Sequence, residues 1–221
     1  MVSATDMETA PFRDAYHSKS GPPFKGIEIN FLTTGIGMLA TAARLTASLK
    51  QSAPDLIIQA GIAGSFSNKH ALGSVYRVTS EVIADMGVNE NGEWKDVFDL
   101  RLVDGNSLPY HDCRLMAIEP LFLDLSHLPA VTGITVNEIT TDPRRIGILR
   151  QKYMPDLESM EGAALHFVGI ENGIPFLQLR AVSNYIGERD KANWRIKDAI
   201  NNLNENLSGI VGQLVSNPHF S

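Results

Sequence analysis

The chain has 221 residues, 43% apolar and 20% charged, enough for one sizeable core and ordinary for a globular protein. A formal charge of −6 with no local run of Lys or Arg argues against a nucleic-acid-binding face. There is no 18-residue apolar stretch or signal-peptide pattern, and Cys113 is the sole cysteine, so a cytoplasmic protein is expected, with no membrane span, disulfide, metal site or cofactor. A lone Cys of this kind reads as packing rather than as a nucleophile.

Met1–Ala4 are left to form a short first strand, and "DME" (Asp6–Glu8) then places carboxylates at its exit, in what reads as solvated loop. "IEINFL" (Ile27–Leu32) alternates with period two and predicts a second strand. "TTGIG" turns into "MLATAARLTASLK", a small-residue helix over Met38–Lys50. "DLIIQAGIAGS" predicts a strand at Leu56–Gln59 and a glycine-rich turn at Gly61 and Gly64. The stretch from Val75 to Pro129 is less periodic and reads as longer strands and loops. "ESMEGAALHFVGIEN" repeats apolar residues at Met160, Ala164 and Phe167/Val168, a helix ended by Gly173 and Pro175. "PFLQLRAVS" returns as a strand that stops at Ser183 and Asn184. From Trp194 onward, Ile196, Ile200, Leu203, Leu207, Ile210 and Leu214 mark an amphipathic helix. This alternation predicts an α/β fold, a three-layer sandwich around a central mixed, largely parallel sheet, in one domain over residues 1–221.

In open α/β sheets, ligands bind beyond the carboxyl ends of strands. That rule singles out Thr5–Glu8, the "TTGIG" and "QAGIAG" turns, and Ser183–Asn184. A "GIG" before a helix can cradle a phosphate or simply make a tight turn, and it is neither a Walker loop nor a full G-x-G-x-x-G. Glu161, on the first turn of its helix, either complements the helix dipole or is a site carboxylate with small residues beside it. Asn184 is either a turn cap bonding its own backbone or an amide at the mouth of a site.

The runs "SATDME", "TTGIGMLATA", "QAGIAGS", "ESMEGAALHFV" and "PFLQLRAVSN", in this order, resemble the purine nucleoside phosphorylase and nucleosidase superfamily over nearly the whole chain. The nucleosidase branch looks closest, and "ESMEGAA" with "LRAVSNYIGERD" most resembles the futalosine hydrolases within it. The resemblance implies hydrolysis of an N-glycosidic bond: futalosine yields hypoxanthine and dehypoxanthine futalosine, a step of menaquinone biosynthesis. A nucleoside substrate, water as nucleophile and a homodimer whose neighbouring subunit closes the 5′ end of the pocket come with it.

By position, the resemblance makes Glu8 the activator of water and Glu161 the acceptor from the ribose 2′- and 3′-hydroxyls. Met160 then packs on the sugar face, and Thr34 and Gly35 border the water or sugar. Val136, Asn137 and Ile139 neighbour the base, though the stacking Phe of the nucleosidases has no counterpart. Ser183 bonds site groups and Arg180 orients a carboxylate such as Glu8. Arg13, Arg101 and Arg189 are the candidates for a 5′-side carboxylate, while Tyr110 and His111 read as a surface or interface pair. An acidic pair at Asp6 and Glu8, where the phosphorylases hold phosphate, disfavours an anion and favours hydrolysis.

Asn184 stands where the adenine-specific nucleosidases have an aspartate that protonates purine N7. An amide is no acid, but its two N–H donors match N7 and O6 of a 6-oxopurine. The alternatives are a methylthioadenosine/S-adenosylhomocysteine or 6-amino-6-deoxyfutalosine nucleosidase, and a non-catalytic nucleoside-binding member of the fold.

Overall fold

A computed structural model describes residues 1–18 and 27–216. The elements run β1 (Val2–Ser3), α1 (Asp6–His17), β2 (Leu32–Thr33), α2 (Met38–Leu49), β3 (Ile57–Ser65), β4 (Val75–Ile83), β5 (Gly87–Glu90) and β6 (Glu93–Asp96). They continue with β7 (Leu115–Met116), β8 (Ala130–Thr135), α3 (Pro143–Tyr153), β9 (Leu157–Ser159), α4 (Gly162–Asn172), β10 (Phe176–Tyr185) and α5 (Ile196–Ser216).

β10 is the hub of a mixed sheet. It pairs in parallel with β3 and antiparallel with β4. β4 runs parallel to β8 and β8 to β9, and β9 returns antiparallel to β3, so the sheet curls back on itself. β1 lies beside β3 at Val2 and Gln59, with β2 outside it. β9 reaches the same edge of β3 only at Gly64 and Ser65. Between those two contacts, no described strand pairs with Gly61–Ala63 on that edge, and the backbone there is open to another partner.

Helices cover both faces. Phe12 of α1 and Leu203, Leu207 and Ile210 of α5 pack on Ile58, Ala60, Leu177 and Leu179. On the other side Leu45 of α2 and Leu165 and Val168 of α4 pack on Val2, Ile57 and Phe176. Leu149 and Tyr153 of α3 close a third cluster with Phe66, Val82 and Ile134. Each such side chain contributes about 1.5–3 kcal/mol by leaving water. Because both faces of β10 are covered, its residues are near-continuously buried, which is why the run does not alternate in sequence. Its two long polar members, Gln178 and Arg180, are therefore the informative ones.

Five expectations are corrected. Asp6–Glu8 is the first turn of α1, not loop: Glu8 at the third helical position reaches back to Thr5 N at 2.9 Å, a capping-box contact. Of the alternating Ile27–Leu32 run, only Leu32 enters a strand; Ile27, Ile29 and Phe31 instead pack against the α1–α5 core. Gly61 and Gly64 lie inside β3, and β10 continues past Ser183 to Tyr185 through a bulge between Val182 and Asn184. Glu161 is the N-cap of α4, one residue ahead of the helix rather than within it.

Candidate active site

The open edge of β3 is filled by Glu8. Its Oε1 accepts from Ile62 N at 3.2 Å and its Oε2 from Thr5 N at 2.9 Å and Thr5 Oγ1 at 3.2 Å. α1 is pinned behind it, since Asn204 of α5 donates to Glu8 O and accepts from Phe12 N, each at 2.9 Å. Burial pushes the Glu8 carboxyl above its ordinary range, against the lowering effect of its Thr5 bond and of the nearby Arg180 guanidinium. A carboxylate so tuned is a better proton acceptor than one in water.

Gly61 explains the packing. A Cβ there would collide with Arg180 Nη1 and sit 2.9 Å from Glu8 Oε1. The residue is glycine because two charged groups need its space, not because the chain turns. Arg180, 1% exposed, donates to Gln59 Oε1 at 2.7 Å and faces Glu161 Oε2 at 3.9 Å. Glu161, also buried, accepts through Oε1 from Gly37 N at 3.0 Å. Gly37 has φ 95°, a conformation that aims its N–H at Glu161 and that other residues resist.

A third carboxylate shares this interior. Glu81 on β4 accepts from Gln178 Nε2 at 2.9 Å and from Thr135 Oγ1 at 3.0 Å, and burial pushes it up to about 7. Nothing in the sequence reading marked Glu81; the available signal was a carboxylate inside the apolar run "YRVTSEVIA". Glu8 and Glu161 beside one guanidinium favour positive charge that develops next to them, while Glu81 holds a proton up to about pH 7.

Further along β10, Ser183 Oγ donates to Asn184 Oδ1 at 2.8 Å, while Asn184 Nδ2 donates to Tyr185 O at 3.2 Å. Ser183, whose hydroxyl also lies 3.3 Å from Ala63 O, and Tyr185 O together set the amide orientation, with Oδ1 toward the hydroxyl and Nδ2 on the backbone carbonyl. Nδ2 retains a second hydrogen. The bulge at Ser183 re-aims the strand end, a usual service of bulges beside sites.

The structure joins Glu8, Arg180, Glu161 and Gly37 in one contact network, with Asn184 and Ser183 at the end of the same strand. Met160 is half-buried next to Glu161 and Gly35 half-buried in its turn. Thr34 differs from its expectation. It is fully buried and its hydroxyl engages Ser3 O and Thr41 Oγ1, so its side chain holds the turn rather than bordering a ligand. Val136 likewise belongs to the α3 core cluster, with 1% exposure, which removes its side chain from the base. Asn137 and Ile139 are exposed, Asn137 Nδ2 bonding Asp85 at 3.3 Å.

The acidic pair is split as well. Asp6 faces outward to Thr33 Oγ1 at 2.6 Å and Arg13 at 2.9 Å, and only Glu8 turns inward. Arg13 is thereby engaged, Arg189 lies over Trp194 at 5.7 Å, and Arg101 is exposed. Tyr110 packs edge-on against Phe98, and His111 is exposed. Cys113 is exposed, and its thiol is held above its ordinary value by partial desolvation and then by the negative charge of Asp96.

Buried carboxylates on one side and an oriented amide on the other suit a sugar–base bond whose sugar turns cationic as it breaks. Known proteins carry the same arrangement of chain. The model of the phosphorylase superfamily matches residues 23–216. A futalosine hydrolase of Thermus thermophilus is 30% identical over 92% of this chain and 90% of its own. One from Streptomyces coelicolor is 32% identical over 86% and 82%. Among solved structures, a 5′-methylthioadenosine/S-adenosylhomocysteine nucleosidase of Neisseria meningitidis, bound to methylthio-immucillin-A, superposes with a TM-score of 0.75 at 16% identity, covering 95% of this chain and 96% of that one. The futalosine hydrolase of Helicobacter pylori superposes at 0.67 with 15% identity, over 97% and 94%. With its fold shared at that level and its sequence matched over most of its length, the chain belongs to the phosphorylase superfamily.

Proposed function

We propose that this protein hydrolyses the N-glycosidic bond of futalosine, releasing hypoxanthine and dehypoxanthine futalosine in menaquinone biosynthesis, in the cytoplasm. The observation that carries the reading is the Asn184 amide at the end of β10, whose oxygen is engaged by Ser183 and whose Nδ2 keeps one hydrogen beyond its bond to Tyr185 O. Similarity of 30–32% to futalosine hydrolases supports it.

In this reading Glu161 accepts from the ribose 2′- and 3′-hydroxyls and Met160 packs on the sugar. As the C–N bond breaks, its electron pair leaves with the base and C1′ gains positive character. Glu161 then binds the sugar more strongly than in the ground state. Glu8 takes a proton from the attacking water, whose oxygen bonds to C1′, an effect of about 10²–10⁴-fold. Asn184 donates its one free Nδ2 hydrogen to the N7/O6 edge, where negative charge accumulates, and the departing base is protonated from solvent. Arg180 holds Glu161 and lies beside Glu8, a positioning role.

A second copy of the chain closes the 5′ side. Exposed apolar residues stand beside site groups: Met7 next to Glu8, Ile36 in the turn that bonds Glu161, and Leu39 at the start of α2.

The test is base release from futalosine, 6-amino-6-deoxyfutalosine and methylthioadenosine, with and without phosphate. Futalosine is expected to turn over fastest and without phosphate. A strict phosphate requirement would overturn hydrolysis, and faster release of adenine would overturn the substrate.

A further inference from the structure

Behind the sugar side of the site, two buried acceptors meet with no donor between them. Gln178 Oε1 of β10 and His166 Nε2 of α4 are both buried, and neither has a hydrogen-bond partner among the described residues. Gln178 is the side chain that acts on the His166 ring, raising its proton affinity against the larger effect of burial. The ring's Nδ1 stands 3.0 Å from Leu115 O, which can only accept, so the proton of the neutral ring is on Nδ1. Gln178 Nε2 is turned to Glu81 Oε1, so the atoms left to face each other are Oε1 and the bare ring nitrogen. Burial keeps that ring neutral down to about 4, so the ring brings no second proton. Native interiors rarely keep two such atoms unpaired.

A half-turn of the Gln178 amide repairs the mismatch, since its two ends fill the same space. Nε2 then donates to His166 Nε2, and Oε1 faces Glu81 Oε1, which must carry a proton to meet it. The other carboxyl oxygen, Oε2, still accepts from Thr135 Oγ1 of β8 at 3.0 Å. Thr135 Oγ1 accepts in turn from Ala163 N at 2.8 Å, in the first turn of α4, the helix that Glu161 caps. Gly162 lies flat on this contact, because a Cβ there would collide with Glu81 Oε1 and Gln178 Nε2. The charged groups that face Glu81 are Arg180 of β10, which favours its ionised form, and Glu161, which opposes it. An ionised Glu81 therefore competes for the guanidinium that faces Glu161 at 3.9 Å and repels Glu161 itself. Burial keeps Glu81 protonated up to about 7.

We propose that Glu81 is a positioning residue for Glu161 that works in its protonated form, donating to Gln178 Oε1 while Gln178 Nε2 donates to His166 Nε2. The chain of bonds runs from Leu115 O through His166, Gln178, Glu81 and Thr135 to the first turn of α4, and it leaves Arg180 to Glu161 and Glu8. The sugar contact it serves is that of the reading above, which this deepens. Ionisation of Glu81 turns the amide back, strands Gln178 Oε1 against the ring and sets a further negative charge beside Glu161. Sugar binding then weakens, so kcat/KM is lost as pH rises through 7.

Glu81→Gln keeps a donor for Gln178 and an acceptor for Thr135 but cannot ionise. With futalosine, wild-type kcat/KM should fall about 10-fold from about pH 6 to about pH 8.5, mostly through KM, and that of Glu81→Gln less than about 2-fold. Parallel falls in the two enzymes overturn the proposal. A second measurement needs no substrate: nitrogen-15 NMR of the His166 ring in the wild type, assigned by the signal lost in His166→Gln. At about pH 6 the ring should carry its proton on Nδ1 with Nε2 accepting a hydrogen bond, and its signals should shift with a midpoint near 7. A proton on Nε2 at about pH 6, or a ring indifferent to pH up to about 8.5, overturns the proposal. Should futalosine not be cleaved at all, the substrate reading falls, and the ring measurement still decides whether Glu81 passes its proton to Gln178.

Discussion

Asn184 is the residue whose meaning changed most between sequence and structure. As sequence it was a turn residue at the end of a strand. In the structure the strand runs on, a bulge re-aims it, and Ser183 and Tyr185 O hold the two ends of the amide. Its bond to Tyr185 O shows that the capping reading was also true, since one N–H serves the backbone and the other remains. Asn184→Asp is expected to cut futalosine turnover on the order of 10²–10³-fold, because an ionised carboxylate repels O6 and removes a donor. Adenine-bearing substrates should lose far less. Steady-state kinetics on both series checks this; equal losses would leave Asn184 as a cap alone. Glu8 was legible at this scale from the motif, and so was its helix: Thr5-x-x-Glu8 is a capping-box pattern. Pro11, inside α1, disguised it.

Between elements, the least legible feature was the buried polar interior enclosed by β3, β4, β8, β10 and α4. Glu81, Gln178 and Arg180 come from strands far apart in the chain, and only the curling of the sheet unites them. Glu81 titrates there near 7, above the usual carboxylate value of about 4.3. The folded protein therefore holds a proton on Glu81 that the unfolded chain gives up earlier. The stability contributed by that proton is fully present below the unfolded pKa and is lost as pH rises through 7. His166, fully buried with its pKa lowered to about 4, works the other way and loses stability as pH falls from the ordinary histidine range. Wild type should exceed Glu81→Gln in melting temperature most at pH 5, and the gap should narrow or invert by pH 8. A gap that is constant with pH would mean that no proton is held there. Glu81 sits beside Arg180 and opposes Glu161, so the same proton lessens the negative charge the site must hold before substrate arrives.

For the whole molecule, one copy leaves apolar surface uncovered around the site. Leu39 is 84% exposed and Ile36 66%, and both stand at the loop that bonds Glu161. Apolar groups of that size beside a site are usually covered by a partner. Sedimentation should give a dimer for the wild type, and Leu39→Glu should shift it toward monomer with a raised KM for substrates bearing a large 5′ group. A wild-type monomer would end that reading.

The sequence by itself determined the α/β class and the major helices α2, α4 and α5. These depend on local periodicity, caps and short motifs that survive in one dimension. Tertiary structure alone decided why Gly61 and Gly162 are glycines, and that Arg180 stands between Glu8 and Glu161. It likewise withdrew Thr34 and Val136 into the interior and set Gln178 between Glu81 and His166. Those are facts of register and burial. They depend on which strands become neighbours, and no window of sequence contains that.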